Sequence, residues 1–273
     1  MPPRALATAF IHPPDSISGL VDQPALARRL ALVHGFTQNS ACWSPFDSLL
    51  ARSFEVAKVD LPGHGGSSAI SADIEASARL VGDACGQCAY LGYSLGGRTV
   101  LQLAVAEPKV VEKLVLIGAS PGIEDPAERA ARKLSDSDLA HRLDLPPGTA
   151  DDRAAETLDS FLAAWTSQPM FSGIALQDLH LPMRRRNTCA GLARSLRLCG
   201  TGTQRPLWDD LGALAMDVLV IAGEHDEKFS SIGRRMARKI GPNAEFVSVG
   251  GAGHACHVEK PAAVVALVRD FLS

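Results

Sequence analysis

Short apolar runs recur along the chain, each stopped by glycine or proline. Arg29–His34 reads Arg-Leu-Ala-Leu-Val-His and ends at Gly35, which predicts a buried strand. Phe54–Asp60 alternates apolar and polar residues and stops at Leu61-Pro62-Gly63, predicting a second strand. Ala89–Gly92 is a third, and it runs through Tyr93-Ser94 into Leu95–Ala106. That segment carries a helical pattern and is closed by Glu107-Pro108. Val111–Ile117, Asp217–Gly223 and Glu245–Val249 add further strands, and Pro261–Leu272 ends the chain as an apolar helix. Strands alternating with helices imply an α/β fold, with a parallel sheet covered on both faces. The stretch Met1–Arg28 is rich in proline and too weakly patterned to place a strand.

Between Gly122 and Arg205 the strand pattern disappears. Ala127–Leu143 is rich in Ala, Arg and Leu, and Asp152–Trp165 carries Leu158, Phe161, Leu162 and Trp165 at helical spacing. Pro146-Pro147-Gly148, Gln168-Pro169 and Leu181-Pro182 punctuate the segment. Residues 122–205 are therefore predicted as a helical lid inserted into a core made of residues 1–121 and 206–273. An insertion after a strand sits at the carboxyl edge of the sheet, where ligands bind in open α/β folds.

Composition narrows the function. A 273-residue chain that is 46% hydrophobic buries a large core without metals or disulfides. A net charge of −3 argues against a nucleic-acid partner, which calls for a basic excess. No apolar run approaches the ~20 residues that span a bilayer, and Met1–Asp15 does not read as a secretory signal. A cytoplasmic protein is expected. Cys42, Cys85, Cys88, Cys189, Cys199 and Cys256 show no paired framework. Cys85 and Cys88 form a lone C-x-x-C, read as reduced structural thiols rather than a redox motif or half a zinc site.

The chemistry concentrates in three places. Gly92-Tyr93-Ser94-Leu95-Gly96 matches G-x-S-x-G between a predicted strand and helix. Glycines flank the serine because a sharp strand-to-helix turn leaves no room for side chains. The Leu95 N–H, at the helix start, would face developing negative charge. The blander alternative is a glycine-rich turn whose serine merely caps a helix. Asp226, in Gly223-Glu224-His225-Asp226 after a strand, is the candidate acid, with Glu224 and Glu227 as competitors. His254, in Gly251-Ala252-Gly253-His254 after the last strand, is the candidate base, with His257 as competitor. His34-Gly35-Phe36 follows the first clear strand; the Phe36 N–H is a second candidate oxyanion donor, and His34 is expected to be structural.

His34-Gly35-Phe36, Asp60-Leu61-Pro62-Gly63-His64-Gly65-Gly66-Ser67, the elbow, Asp226 and His254 together resemble the α/β-hydrolase superfamily. Narrower motifs resemble one family within it, the MenH family of 2-succinyl-6-hydroxy-2,4-cyclohexadiene-1-carboxylate synthases of menaquinone biosynthesis. They are Gly92–Arg98, Ala119–Gly122, Ala127–Arg132, Trp165 with Gln168-Pro169 and Phe171, Gly200–Gln204, Trp208, Gly223–Phe229 and Gly253–Glu259. The resemblance implies an α/β-hydrolase fold and a lyase step: the Ser94, Asp226 and His254 triad removes a proton and pyruvate leaves. The alternative is a cofactor-free serine hydrolase of a small acidic ester or of a carbon–carbon bond. A non-catalytic binding module on this fold would not need all three groups.

The residues alone point to an acidic small molecule. Arg98 lies one helical turn after Ser94, and the lid adds Arg129, Arg132 and Arg184-Arg185-Arg186. Guanidinium groups suit carboxylates because they bind bidentately. Carried over by motif position, the resemblance implies Tyr93, Arg98, Arg132, Trp165 and Arg184 as substrate contacts. Arg185 or Arg186 could replace Arg184, and Trp165 could instead be core packing. No nucleotide, flavin or metal motif occurs, so no cofactor is expected.

Overall fold

The computed structural model describes residues 5–12 and 28–273. Residues 1–4 and 13–27, part of the stretch Met1–Asp15 read as no leader and most of the weakly patterned stretch to Arg28, lie outside the described residues. Among the described residues seven strands form one sheet in the order β1-β3-β2-β4-β5-β6-β7. They are β1 (Thr8–Ile11), β2 (Arg29–Val33), β3 (Glu55–Val59), β4 (Cys88–Tyr93), β5 (Val111–Ile117), β6 (Asp217–Gly223) and β7 (Ala244–Val249). β1 pairs antiparallel with β3; every other pairing is parallel. The β1 strand is half-exposed, with Phe10 45% exposed. An edge strand lacks the apolar run that marks the central strands.

Two apolar layers cover the sheet. On one face pack α2 (Ile74–Cys85), α3 (Leu95–Ala106) and α8 (Glu227–Ile240), through Ile74, Val81, Val100, Leu103, Met236 and Ile240. On the other pack α1 (Phe46–Leu50) and α10 (Pro261–Leu272), through Phe46, Leu50, Val264 and Val268. The helices begin where their capping residues dictate. Asp73 accepts from the Ala76 N–H at 2.8 Å to open α2, and Asp226 accepts from the Phe229 N–H at 3.2 Å to open α8.

Between β5 and β6 the chain forms α4 (Pro126–His141), α5 (Asp151–Thr166), α6 (Leu181–Arg184) and α7 (Cys189–Cys199). This insertion has its own small core: Ala140, Leu158, Phe161, Leu162, Leu192 and Leu196. Polar staples tie it to the loops at the carboxyl ends of β2 and β3. Asn187 accepts from the Gly65 N–H at 2.8 Å and donates to the Thr37 carbonyl at 2.7 Å. Asn39 donates to the Met183 carbonyl at 2.6 Å. Behind the His254 loop, the short α9 (Cys256–Glu259) leads into α10.

Leu116 in β5 is fully buried, whereas Leu176 in the insertion is 79% exposed. Leu116→Ala is expected to cost about 2–5 kcal/mol of stability, and Leu176→Ala no more than about 0.5 kcal/mol. Urea unfolding midpoints of the two variants check both values.

Candidate active site

Every residue from Cys88 to Ala104 is buried except Ser94. The reason is the turn from β4 into α3. Ser94 sits at φ 52°, in the left-handed region that non-glycine residues rarely enter. A Cβ on Gly92 would lie 2.5 Å from the Gly96 carbonyl oxygen, and one on Gly96 would overlap the Val33 carbonyl. Glycine at both positions lets β4, α3 and β2 close on one another, and the strained corner lifts the Ser94 side chain out of the packed layer. The Ser94 N–H is tied to the Ile117 carbonyl at 2.9 Å, which fixes the corner to β5.

His254 comes to this corner from the loop after β7. Its ring lies 5.4 Å from Tyr93, 4.6 Å from Phe229 and 6.4 Å from Phe171, centroid to centroid. A Cβ on Gly118, beside Ile117, would touch its Cε1 at 2.9 Å. The ring therefore rests on the two elements that hold Ser94. Its Nδ1 bonds Asp226 Oδ2 at 2.6 Å, and its Nε2 is buried with no protein partner among the described residues. The other Asp226 oxygen caps α8. One carboxylate thus caps a helix and meets the imidazole, which holds the ring in one orientation and tautomer. Glu224 instead accepts from the Gly251 N–H at 2.8 Å, and Glu227 opens α8 as an exposed residue.

Among the described residues, neither the Phe36 nor the Leu95 N–H donates to another protein group. Phe36 is held by a loop whose Gly35 N–H donates to Gln38 Oε1 at 3.2 Å. A Cβ on Gly35 would strike the Tyr93 ring at 2.7 Å. His34 lies beneath the loop. Its Nε2 accepts from the Leu61 N–H at 3.0 Å, so its Nδ1 carries the proton and donates to the Gly35 carbonyl at 2.9 Å. Both nitrogens are consumed, which leaves it a structural residue. His257 is fully enclosed by Trp43, Phe46 and Tyr93 and does not reach Asp226.

The arginines separate sharply. Arg184 is 3% exposed; its Nε donates to the Leu179 carbonyl at 2.7 Å and its Nη1 to Thr37 Oγ1. Among the described residues it forms no ion pair, and burial pushes its pKa down while Cys42 and Tyr93 pull it up. Arg185 is exposed and pairs with Asp159 at 2.7 Å, and Arg186 is also exposed. Of the three, Arg184 is the one turned inward toward Tyr93. Burial also raises the Tyr93 hydroxyl pKa, and Arg184 opposes that rise.

Arg98, expected among the substrate contacts, is engaged by protein oxygens. It is 8% exposed, and its two Nη atoms donate to Gln204 Oε1 and the Cys199 carbonyl, both at 2.7 Å. Cys199 is the last residue of α7, so Arg98 satisfies the carbonyl end of that helix and joins the insertion to α3. Burial lowers its pKa to about 10. Arg132 bonds the buried Asp136 at 2.7 Å, and Asp136 also accepts from the Gly202 N–H at 3.3 Å. Trp165 stands edge-on to Phe36 at 4.9 Å, with its Nε1 buried and unpartnered. It packs in an aromatic layer and also walls a cleft of about 1080 Å³ that opens between α4 and α5. Ser94, Asp226 and His254 do not line that cleft, which Phe161 and Trp165 divide from Phe36.

Cys85 and Cys88 are free and buried, and burial raises both thiols to about 12. Among the described residues, no cluster of three His, Cys, Asp or Glu is arranged to hold a metal. Thr37 and Asn187 went unnoticed in the sequence, although they fix Arg184 and its helix to the Phe36 loop. Asn187 directly after the arginine run was the available signal; the positive φ of Thr37 (65°) had none.

A model of the alpha/beta hydrolase family matches residues 30–267. The chain belongs to the α/β-hydrolase family. Within that family it is 31% identical over 253 residues to a 2-succinyl-6-hydroxy-2,4-cyclohexadiene-1-carboxylate synthase of Enterobacter sp. (strain 638), covering 89% of this chain and 91% of that one. It is 30% identical to the synthase of the same name from Escherichia coli O1:K1, covering 89% and 93%. The structure of MenH from S. aureus superposes with a TM-score of 0.82 at 26% identity, covering 97% of each chain. No helix among the described residues is long and apolar enough to cross a membrane.

Burial lowers the pKa values of His34, His64 and His257, the last two to about 3. The unfolded chain binds these protons near pH 6.5, whereas the folded chain does not. Their contribution is fully present above about pH 6.5 and is lost as pH falls toward the folded values. The urea midpoint is expected to fall from pH 7.5 to pH 5.5, and His257→Gln to flatten that fall.

Proposed function

We propose that this α/β-hydrolase is a carbon–oxygen lyase of menaquinone biosynthesis, working in the cytoplasm. Its substrate is 2-succinyl-5-enolpyruvyl-6-hydroxy-3-cyclohexene-1-carboxylate, and its products are 2-succinyl-6-hydroxy-2,4-cyclohexadiene-1-carboxylate and pyruvate. Similarity to synthases of that name over about nine tenths of the chain supports the reading. The observation that carries it is Arg184: a buried guanidinium with no acidic partner, beside Tyr93 in the residue next to Ser94. Burying an unpaired cation is costly. A substrate carboxylate, bound in two-pronged fashion, offsets that cost.

Ser94, Asp226 and His254 act as a proton-transfer unit. His254 Nε2 accepts the Ser94 proton while Asp226 stabilises the imidazolium formed. The serine oxygen takes the proton from the ring carbon that bears the succinyl group. That electron pair forms a new ring double bond, the existing double bond shifts along the ring, and the C–O bond to the enolpyruvyl group breaks; the departing enolate takes the proton held by His254, giving pyruvate and restoring the triad. The Phe36 and Leu95 N–H groups hold the charge that builds on the succinyl carbonyl. No acyl-serine forms. The contacts that place the polycarboxylate are Tyr93, Trp165 and Arg184, with Arg98 adding positive potential from its protein-bound position and Arg132 offering the Nη groups that its pairing with Asp136 through Nε leaves over. Residues 122–205 serve as the lid over this site. His254 Nε2 is buried with no protein hydrogen-bond partner among the described residues, which leaves it open to take the Ser94 proton.

Pyruvate release from the enolpyruvyl substrate tests the reading. Wild-type enzyme is expected to exceed the spontaneous rate, and Ser94→Ala to lower kcat about 10³-fold or more. Release at the spontaneous rate from wild type overturns the lyase assignment and leaves a serine hydrolase to be sought with an ester and diketone panel. Arg184→Gln is expected to raise KM at least ~10-fold, the scale of one lost charge-assisted carboxylate contact. An unchanged KM removes Arg184 from the substrate site.

A further inference from the structure

The loop that presents His254 is gripped from both sides by carboxylates. On the strand side Glu224 accepts from the Gly251 N–H at 2.8 Å, and the His225 N–H bonds the Ala252 carbonyl at 2.9 Å. On the helix side Glu259, the last residue of α9, folds back so that its Oε2 accepts from the Gly253 N–H at 2.8 Å. The two acids therefore hold the N–H groups of Gly251 and Gly253, and His254 follows directly. Glu224 has a structural excuse at an exposed turn. Glu259 does not: its Oε1 is buried without a hydrogen-bond partner, and among the described residues it forms no ion pair. A buried carboxylate oxygen without a partner carries an energetic cost.

The same carboxylate faces the insertion. A Cβ on Gly173 would lie 2.6 Å from Glu259 Oε2, so the insertion's backbone rests against the acid. Gly173 follows the turn Pro169–Phe171, and Phe171 packs its ring 6.4 Å from that of His254. One side chain thus touches the N–H of the residue before the base and the segment that supplies one wall of the base's aromatic box.

We propose that Glu259 is a positioning residue for His254, holding the Gly253 peptide so that the imidazole stays aligned with Asp226 while its Nε2 faces Ser94. This inference rests on His254 being the base of the proposed reaction. Among the described residues Glu259 makes no hydrogen bond to the imidazole and acts on it through the loop. Its removal leaves the substrate contacts in place and loosens the angle at which the ring meets Asp226. Small misplacements of a proton-transfer group are expensive: a shift of about 1 Å costs on the order of 100-fold in rate.

Three variants test this: Glu259→Ala, Glu259→Gln and Gly173→Ala. Gln keeps an oxygen acceptor for the Gly253 N–H. Gly173→Ala is an exposed substitution at a glycine without positive φ, and its methyl displaces the Glu259 carboxylate while leaving the α9 sequence intact. Each is measured for kcat and KM in pyruvate release, and for the downfield proton resonance of the His254–Asp226 hydrogen bond. Glu259→Ala and Gly173→Ala are expected to lower kcat about 10- to 100-fold, leave KM within about threefold, and broaden or shift that resonance. Glu259→Gln is expected to keep kcat within about threefold with the resonance unchanged. Wild-type kcat in both alanine variants overturns the proposal, and so does a kcat loss with the resonance intact. If Glu259→Ala does not fold, Gly173→Ala decides by the same two readings. If wild-type enzyme releases no pyruvate, the lyase reading has failed, and the resonance alone still decides whether Glu259 positions the ring.

Discussion

The corner at Ser94 is the constraint on which the rest of the structure depends. A residue with a side chain is forced to φ 52° because β4 must end and α3 must begin within one residue, against β2 on one flank and β5 on the other. The strain is tolerated because the flanks are over-determined. Gly92 and Gly96 admit contacts that any Cβ would block, and the Ser94 N–H is bound to the Ile117 carbonyl. Such strain costs on the order of 1–3 kcal/mol and persists only in a rigid frame. The frame here is the buried, parallel centre of the sheet, β2, β4 and β5. The corner's return is a single accessible hydroxyl in a run of seventeen residues, Cys88–Ala104, that is otherwise sealed.

The parallel sheet then delivers the partners at no further cost. All the central strands end at the same edge, so the loops after β2, β6 and β7 converge on the corner after β4. The Phe36 loop, Asp226 and His254 come from those three loops. Asp226 does two jobs because β6 leads straight into α8: the residue that caps the helix is also the one that meets the imidazole. Phe229, in the first turn of the same helix, packs on the ring, so the helix start helps fix the orientation of His254.

What was legible in the sequence follows this division. Central strands are continuous apolar runs, and their turns carry glycine, so β2, β4, β5 and β6 and the elbow could be placed to within a residue or two. β1 could not, because a half-exposed edge strand of four residues has no such run. The loop residues after the strands were legible by order and by motif. The arginines were legible only as a surplus of charge. Whether a guanidinium is free or consumed depends on contacts distant in sequence: Arg98 reaches Cys199 and Gln204, and Arg184 reaches Thr37. Sequence spacing placed Arg98 beneath the serine, one turn along α3. It contained nothing about the open carbonyl end of α7 that arrives there from the insertion.

That exchange of roles has a physical logic. An insertion of four helices meets the core over polar loops, not over a broad apolar face, so its attachment depends on directional bonds. Arg98, Asn187, Asn39 and Arg184 make them, each to a backbone or hydroxyl oxygen across the junction. Neutral acceptors leave the positive charge of Arg98 and Arg184 uncancelled. Had the staples been salt bridges, the junction would hold as well, but its potential toward a polycarboxylate would vanish. In the proposed reading, fastening the insertion with cations on neutral oxygens lets the same side chains carry both the assembly of the site and its preference for an anion. The cost is a lower intrinsic stability of the junction in the absence of a ligand, since buried unpaired charge is unfavourable until a carboxylate arrives.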